Sequence, residues 1–79
     1  MTIVVSNLPQ QVSQVELLKL FEKYGSIQRV LLPTYRKTGF VRNFAFVEMV
    51  GNAHEAAAIS DLNGFNWMGC QLQVQSLIL

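Results

Sequence analysis

The 79 residues are enough for one small domain with a modest core, and 51% of them are apolar against 14% charged. Globular chains carry about a quarter charged residues, so some apolar surface is expected to stay uncovered, which favours a protein partner or self-association. The net charge of +1 excludes a general polyanion-binding argument, the single Cys70 excludes an intramolecular disulfide, and no apolar run reaches the length of a bilayer span. The chain reads as a soluble protein of a reducing interior, cytoplasmic, or nuclear in a eukaryotic source.

Thr2-Ile3-Val4-Val5-Ser6 is short and β-branched, and Asn7-Leu8-Pro9 ends it with a turn signal. This predicts a first strand with Ile3 and Val5 inward and Val4 outward. Ser13 and Glu16 have the spacing of a capping box, so a helix is expected to start at Ser13. Leu17, Leu20, Phe21 and Tyr24 follow at helical spacing, and Gly25 closes the run. Ile27 to Leu32 predicts a second strand, and Thr34 to Val41 a long hairpin loop.

A third strand follows from Phe44, closed by Gly51. Asn52 and Glu55 repeat the capping-box spacing and open a second helix, with Ala56, Ile59 and Leu62 for its core, ended by Asn63-Gly64. In Gln71 to Gln75 glutamines alternate with Leu72 and Val74, which predicts a half-buried fourth strand. The order is β-α-β-β-α-β, an α+β, ferredoxin-like arrangement: a four-stranded antiparallel sheet with two helices on one face and the other face open.

Chemistry concentrates in Arg42-Asn43-Phe44-Ala45-Phe46-Val47-Glu48-Met49. On a strand, Ala45, Val47 and Met49 share one face as an ordinary core set. Phe44, Phe46 and Glu48 share the other. Two rings on an open sheet suit a flat ligand, and nucleic-acid bases have the π-faces for it. Between Glu22 and Glu48 there is no acidic residue, while Lys23, Arg29, Arg36, Lys37 and Arg42 fall in the gap. That block suits phosphate, or is a solvated loop.

The segment from Arg42 resembles the signature of the RNA-recognition motif, Lys/Arg-Gly-Phe/Tyr-Gly/Ala-Phe-Val-x-Phe/Tyr, at Arg42, Phe44, Ala45, Phe46 and Val47. Asn43 replaces its glycine and Met49 its last aromatic. Ile3 to Leu8 resembles the family's second short motif. Phe21-Glu22-Lys23-Tyr24-Gly25 and Leu62-Asn63-Gly64 resemble its two helix endings. Trp67-Met68-Gly69 with Leu72 and Val74 is most similar to the small single-domain RNA-binding proteins of cyanobacteria. Residues 1–79 are then a single domain of this kind.

The resemblance implies single-stranded RNA on the open sheet, without cofactor or metal. It implies that Phe46 stacks a base, Phe44 packs on base or sugar, and Arg42 pairs with a phosphate. Asn7, Gln73 and Gln75 join this set, as do Arg36 and Lys37. Val4 occupies a position that is aromatic in most of the family. Glutamines stand on strand four where relatives often carry cations. Tyr35 and Phe40 either cap a further base or fold back onto the hairpin. Glu48 either repels phosphate or selects a base with an amino group.

Other residues have plainer readings. His54 is a surface residue, Cys70 a small core-side residue, and Trp67 a packing residue over the loop before strand four. Val15 and Leu18 fall off the core stripe of the first helix, and Leu77-Ile78-Leu79 ends the chain without charge. The tail either pads the edge of the core or marks where a longer protein was cut, or these residues offer a contact for a second copy or another protein. The second function open to the chain is therefore a protein-interaction or self-associating domain that keeps the fold with weakened RNA binding. An enzyme is not expected: the turn Ser6 to Gln11 has no charge with which to hold an anion, and no nucleophile–base or paired-carboxylate set stands out.

Overall fold

The computed structural model describes residues 2–51 and 54–77. Strands β1 (Thr2–Ser6), β2 (Ile27–Leu31), β3 (Phe44–Met49) and β6 (Gln73–Leu77) form one antiparallel sheet in the order β2-β3-β1-β6. Short strands β4 (Asn66–Trp67) and β5 (Cys70–Gln71) pair separately as a hairpin. Helices α1 (Gln14–Phe21) and α2 (Glu55–Leu62) supply the rest of the core. The β-branched run of β1 suits a central strand, and its alternate residues Ile3 and Val5 are wholly buried.

Helix α1 starts at the expected box. Ser13 Oγ accepts from the Glu16 N–H at 3.2 Å, and the Ser13 N–H donates to Glu16 Oε1 at 3.1 Å. Its buried stripe is Leu17, Leu20 and Phe21, continued by half-buried Tyr24 on the 3₁₀ turn Glu22–Tyr24. Gly25 ends this run at φ +147°, and a Cβ there would lie 3.0 Å from His54 Cδ2, so both conformation and space call for glycine.

Helix α2 departs from expectation. Its buried residues are Glu55, Ala58 and Leu62, with Ile59 half-buried, and Ala56 is exposed. An alanine looks alike on either face of a helix, so the assignment of Ala56 to the core slipped off the true stripe. Asn52, the proposed cap, lies outside the described residues. The Glu55 carboxylate accepts from Ser76 Oγ at 3.4 Å.

The fourth sheet strand is also displaced. Gln71 pairs with Asn66 in the β4–β5 hairpin, and the sheet strand runs Gln73–Leu77 instead of Gln71–Gln75. The alternation Gln71-Leu72-Gln73-Val74 is continuous, but the hydrogen-bonding partner changes at Leu72, whose N–H goes to Phe65 O at 2.9 Å while Gly64 N–H reaches Leu72 O at 2.7 Å. Asn63 Oδ1 accepts from Val74 N–H at 3.1 Å, tying the end of α2 to β6. Met68 (φ +52°) and Gly69 (φ +83°) make the two-residue turn, and Trp67 beside them packs on the core.

Leu8, Val12 and Val41 are buried although they lie in loops. They anchor the connections around β1 and β3 to the core. At the outer edge, β2 carries a bulge between Ile27 and Arg29, and the Gln14 amide donates to Val30 O at 3.2 Å.

These packings rank the expected losses of stability in urea denaturation. Phe21→Ala removes the largest fully buried side chain and is expected to cost about 3–5 kcal/mol. Ser13→Ala removes the cap at about 1 kcal/mol, and Ala56→Gln stays within about 0.5 kcal/mol because the position is solvated.

Candidate nucleic-acid interface

Register decides what faces outward. Phe44, Phe46 and Glu48 stand opposite Ser6, Val4 and Thr2 of β1, while Ala45, Val47 and Met49 between them are buried. On the far side of β1, Val4 pairs with Gln75, Ser6 with Gln73 and Thr2 with Leu77. On the β2 side, Leu31 stands opposite Phe46 and Arg29 opposite Glu48. The open face thus has Phe46 at its middle, between Val4 and Leu31.

The two rings are half-buried and meet edge to face, with centroids 5.6 Å apart and planes at 81°. Phe44 braces Phe46, so one flat ring face is held in place. Leu31, 44% exposed, extends the apolar area beside it. Gln73 and Gln75 are exposed on β6 with amides able to donate and accept. Leu77, expected as part of an apolar tail, is half-buried at the end of β6; Ile78 and Leu79 lie outside the described residues.

Arg29 and Leu31 were not among the site residues read from sequence. Strict alternation puts Ile27, Arg29 and Leu31 on one face with inward Ile27. The bulge at Gln28 resets the pleat, so Ile27 and Val30 pack on the core and Arg29 and Leu31 turn outward. Arg29 grips Glu48 with two parallel bonds, Nε to Oε2 at 3.1 Å and Nη2 to Oε1 at 2.9 Å. Arg29's hydrogen bond, aided by its charge and partly opposed by desolvation, holds the Glu48 carboxyl below its ordinary value.

Beyond the sheet, the β2–β3 connection is an ordered extension. Thr34 bridges Val41, Tyr35 N–H donates to Phe40 O at 2.8 Å, and Arg42 N–H donates to Pro33 O at 3.0 Å. Tyr35 and Phe40 are 50% and 46% exposed and line a shallow hollow with Gln10, Arg36, Lys37 and Thr38. The Arg42 guanidinium lies 5.1 Å from the Tyr35 ring centroid, a cation–π contact that leaves its outer N–H groups in solvent.

Asn7 and Asn43 hold the entry to this surface. Asn43 has φ +68°, the left-handed conformation that glycine supplies in the family signature and that asparagine tolerates best among the others. Its carbonyl accepts from Leu8 N–H at 3.0 Å. Asn7, at φ +62°, donates its side-chain amide to Gln71 O at 2.7 Å. On the helical side, Val15 is 57% exposed, while Leu18, expected alongside it as an exposed strip, is half-buried; both line a groove with Ile27 and Val30. Among the described residues no helix is long and apolar enough to cross a membrane.

The sheet order, its two helices and the paired rings on the uncovered face define a ferredoxin-like domain with an aromatic sheet platform. The chain belongs to the RNA recognition motif family, which it matches over residues 3–73. It is 54% identical to RbpE of Nostoc sp. over 94% of this chain and 75% of the relative. It is 50% identical to RbpA of Synechocystis sp., over 94% and 73%. Both relatives are named as candidate RNA-binding proteins, and their kinship agrees with the cyanobacterial resemblance read from Trp67 onward. Among solved structures, RNA binding protein PG1 superposes with a TM-score of 0.93 at 33% identity, covering 100% of this chain and 95% of that one. The Sxl-lethal protein/RNA complex gives 0.92 at 29% identity, covering 99% of this chain and 47% of that one.

Two measurements check this geometry. The lowered Glu48 pKa means that its stabilising contribution is present above the unfolded value of 4.5 and disappears as pH falls through the lower folded value. A carboxyl-carbon NMR titration is expected to show Glu48 protonating below that value, and Arg29→Gln to move it back up. At Asn43 the left-handed backbone makes Asn43→Gly nearly neutral, whereas Asn43→Ala is expected to cost about 1 kcal/mol in thermal or urea unfolding.

Proposed function

We propose that this protein is a non-catalytic module that binds short single-stranded RNA across the open sheet face. One observation carries the reading: Phe44 and Phe46 alternate with buried Ala45 and Val47, so the rings stand on the face away from the helical core. The names of the relatives, and the RNA in the Sxl-lethal complex, support it.

In this reading a base stacks on Phe46 and its neighbour packs base or sugar on Phe44. Arg42, Arg36 and Lys37 meet phosphates at the hairpin end of the sheet. Gln73 and Gln75 hydrogen-bond base edges from β6, as does the free oxygen of the Asn7 amide. Tyr35 and Phe40, already exposed around a shared hollow, take a further base. Val4 gives its base an apolar contact without the planar face of a ring, so affinity is modest.

Fluorescence anisotropy with short labelled RNAs tests this, with circular dichroism as the folding control. Stacking contributes roughly 1–3 kcal/mol per base, so each lost ring is expected to weaken binding about ten- to a hundredfold. The Phe44→Ala/Phe46→Ala double variant should therefore lose measurable binding, and Val4→Phe should tighten it by about tenfold. Binding that ignores both changes rules out the sheet platform. With three loop cations as the phosphate contacts, log affinity should fall with log salt at a slope of about −2.

A further inference from the structure

The four paired strands carry two charged side chains on their open face, Arg29 and Glu48, and these are bound to each other. Every other outward side chain there is neutral, from Val4 and Leu31 through the two phenylalanines to Gln73 and Gln75. A free arginine at this place would be the natural ligand for a phosphate of RNA lying on Phe46. Glu48 sits two residues further along the strand, about 7 Å from Phe46. It occupies both inner N–H groups of the guanidinium, at 2.9 and 3.1 Å, using both of its own oxygens.

We infer that Glu48 is a positioning residue for RNA binding. By holding Arg29 in a two-pronged pair it keeps that cation off the phosphate backbone. The paired strands then present a face of zero net charge. Bases are gathered there by stacking and hydrogen bonding, while phosphates are held at the hairpin loop by Arg36, Lys37 and Arg42. This rests on the RNA-binding reading above and adds what sets its strength and salt dependence. Arg29 is exposed at 58% of its side chain and Glu48 half-buried at 26%, and neither belongs to the core cluster, so isosteric changes leave the core untouched.

The test measures anisotropy of one short RNA at 50 to 200 mM potassium chloride, with wild type, Glu48→Gln, Arg29→Gln and the double variant. Glu48→Gln removes the opposing charge and one of the two prongs, leaving at most a single neutral bond, so Arg29 can exchange to a phosphate and one more phosphate contact forms. The slope of log affinity against log salt should steepen by about 0.7, a further loss of about threefold across that range, with tighter binding at the low-salt end. Arg29→Gln leaves the carboxylate unbalanced beside Phe46 and should weaken binding without steepening the slope. The double variant should return close to wild type.

Two results overturn the inference alone while binding still depends on Phe44 and Phe46. One is a slope that Glu48→Gln leaves unchanged, including the case where only the preference among bases shifts. The other is an Arg29→Gln slope shallower by about 0.7, which would mean Arg29 already holds a phosphate. Absent binding, or binding indifferent to the two rings, removes the RNA-binding reading and this inference together.

Discussion

The pairing of β3 with β1 is the constraint from which everything else follows. Val47 lies opposite Ile3 and Ala45 opposite Val5, all four buried, and that choice forces Phe46 opposite Val4 on the other side. A slip of one residue would bury a glutamate and two phenylalanines where alanine and valine fit, and would place the small apolar set in water. The core therefore specifies the outer surface. Helices α1 and α2 need not touch the aromatic face to determine it; filling the inner face is sufficient.

Loops bring polar and charged groups to that surface by backbone geometry as much as by contact. Asn43 turns the chain sharply just before β3, and its carbonyl is held by Leu8 N–H, so the loop cations and the start of the strand keep a fixed relation. Asn7 does the same after β1 by reaching Gln71 O. Val41 sinks its side chain into the core while Tyr35 and Phe40 stay out, giving the hairpin a buried anchor and an exposed tip. A surface built this way is ordered without being buried.

Much of the fold was legible because short-range chemistry and long-range packing agree. Ser13 and Glu16 mark a helix start, and the structure uses both bonds of the box. The period of two through Phe44–Met49 is unambiguous because small, large and charged residues separate cleanly by face. Three features were hidden for identifiable reasons. Alternation through Gln71–Val74 reports facing but not partner, so the switch from hairpin to sheet at Leu72 left no trace in it. Ala56 and Ala58 look alike, so hydrophobicity does not select the buried one. The bulge at Gln28 has no residue signature, so the register that sets Arg29 opposite Glu48 could not be read from spacing alone.

That same irregularity affects how the molecule meets its own kind. Strand β2 is at the border of the sheet, where an uninterrupted row of amides and carbonyls would invite a strand from another chain to add on. Here the row is broken by the bulge, and the Gln14 side chain already occupies the Val30 carbonyl. A chain so sparing in charge is thereby guarded against growing ribbons from this one of its two borders, by a kink and a single amide in place of a fence of lysines.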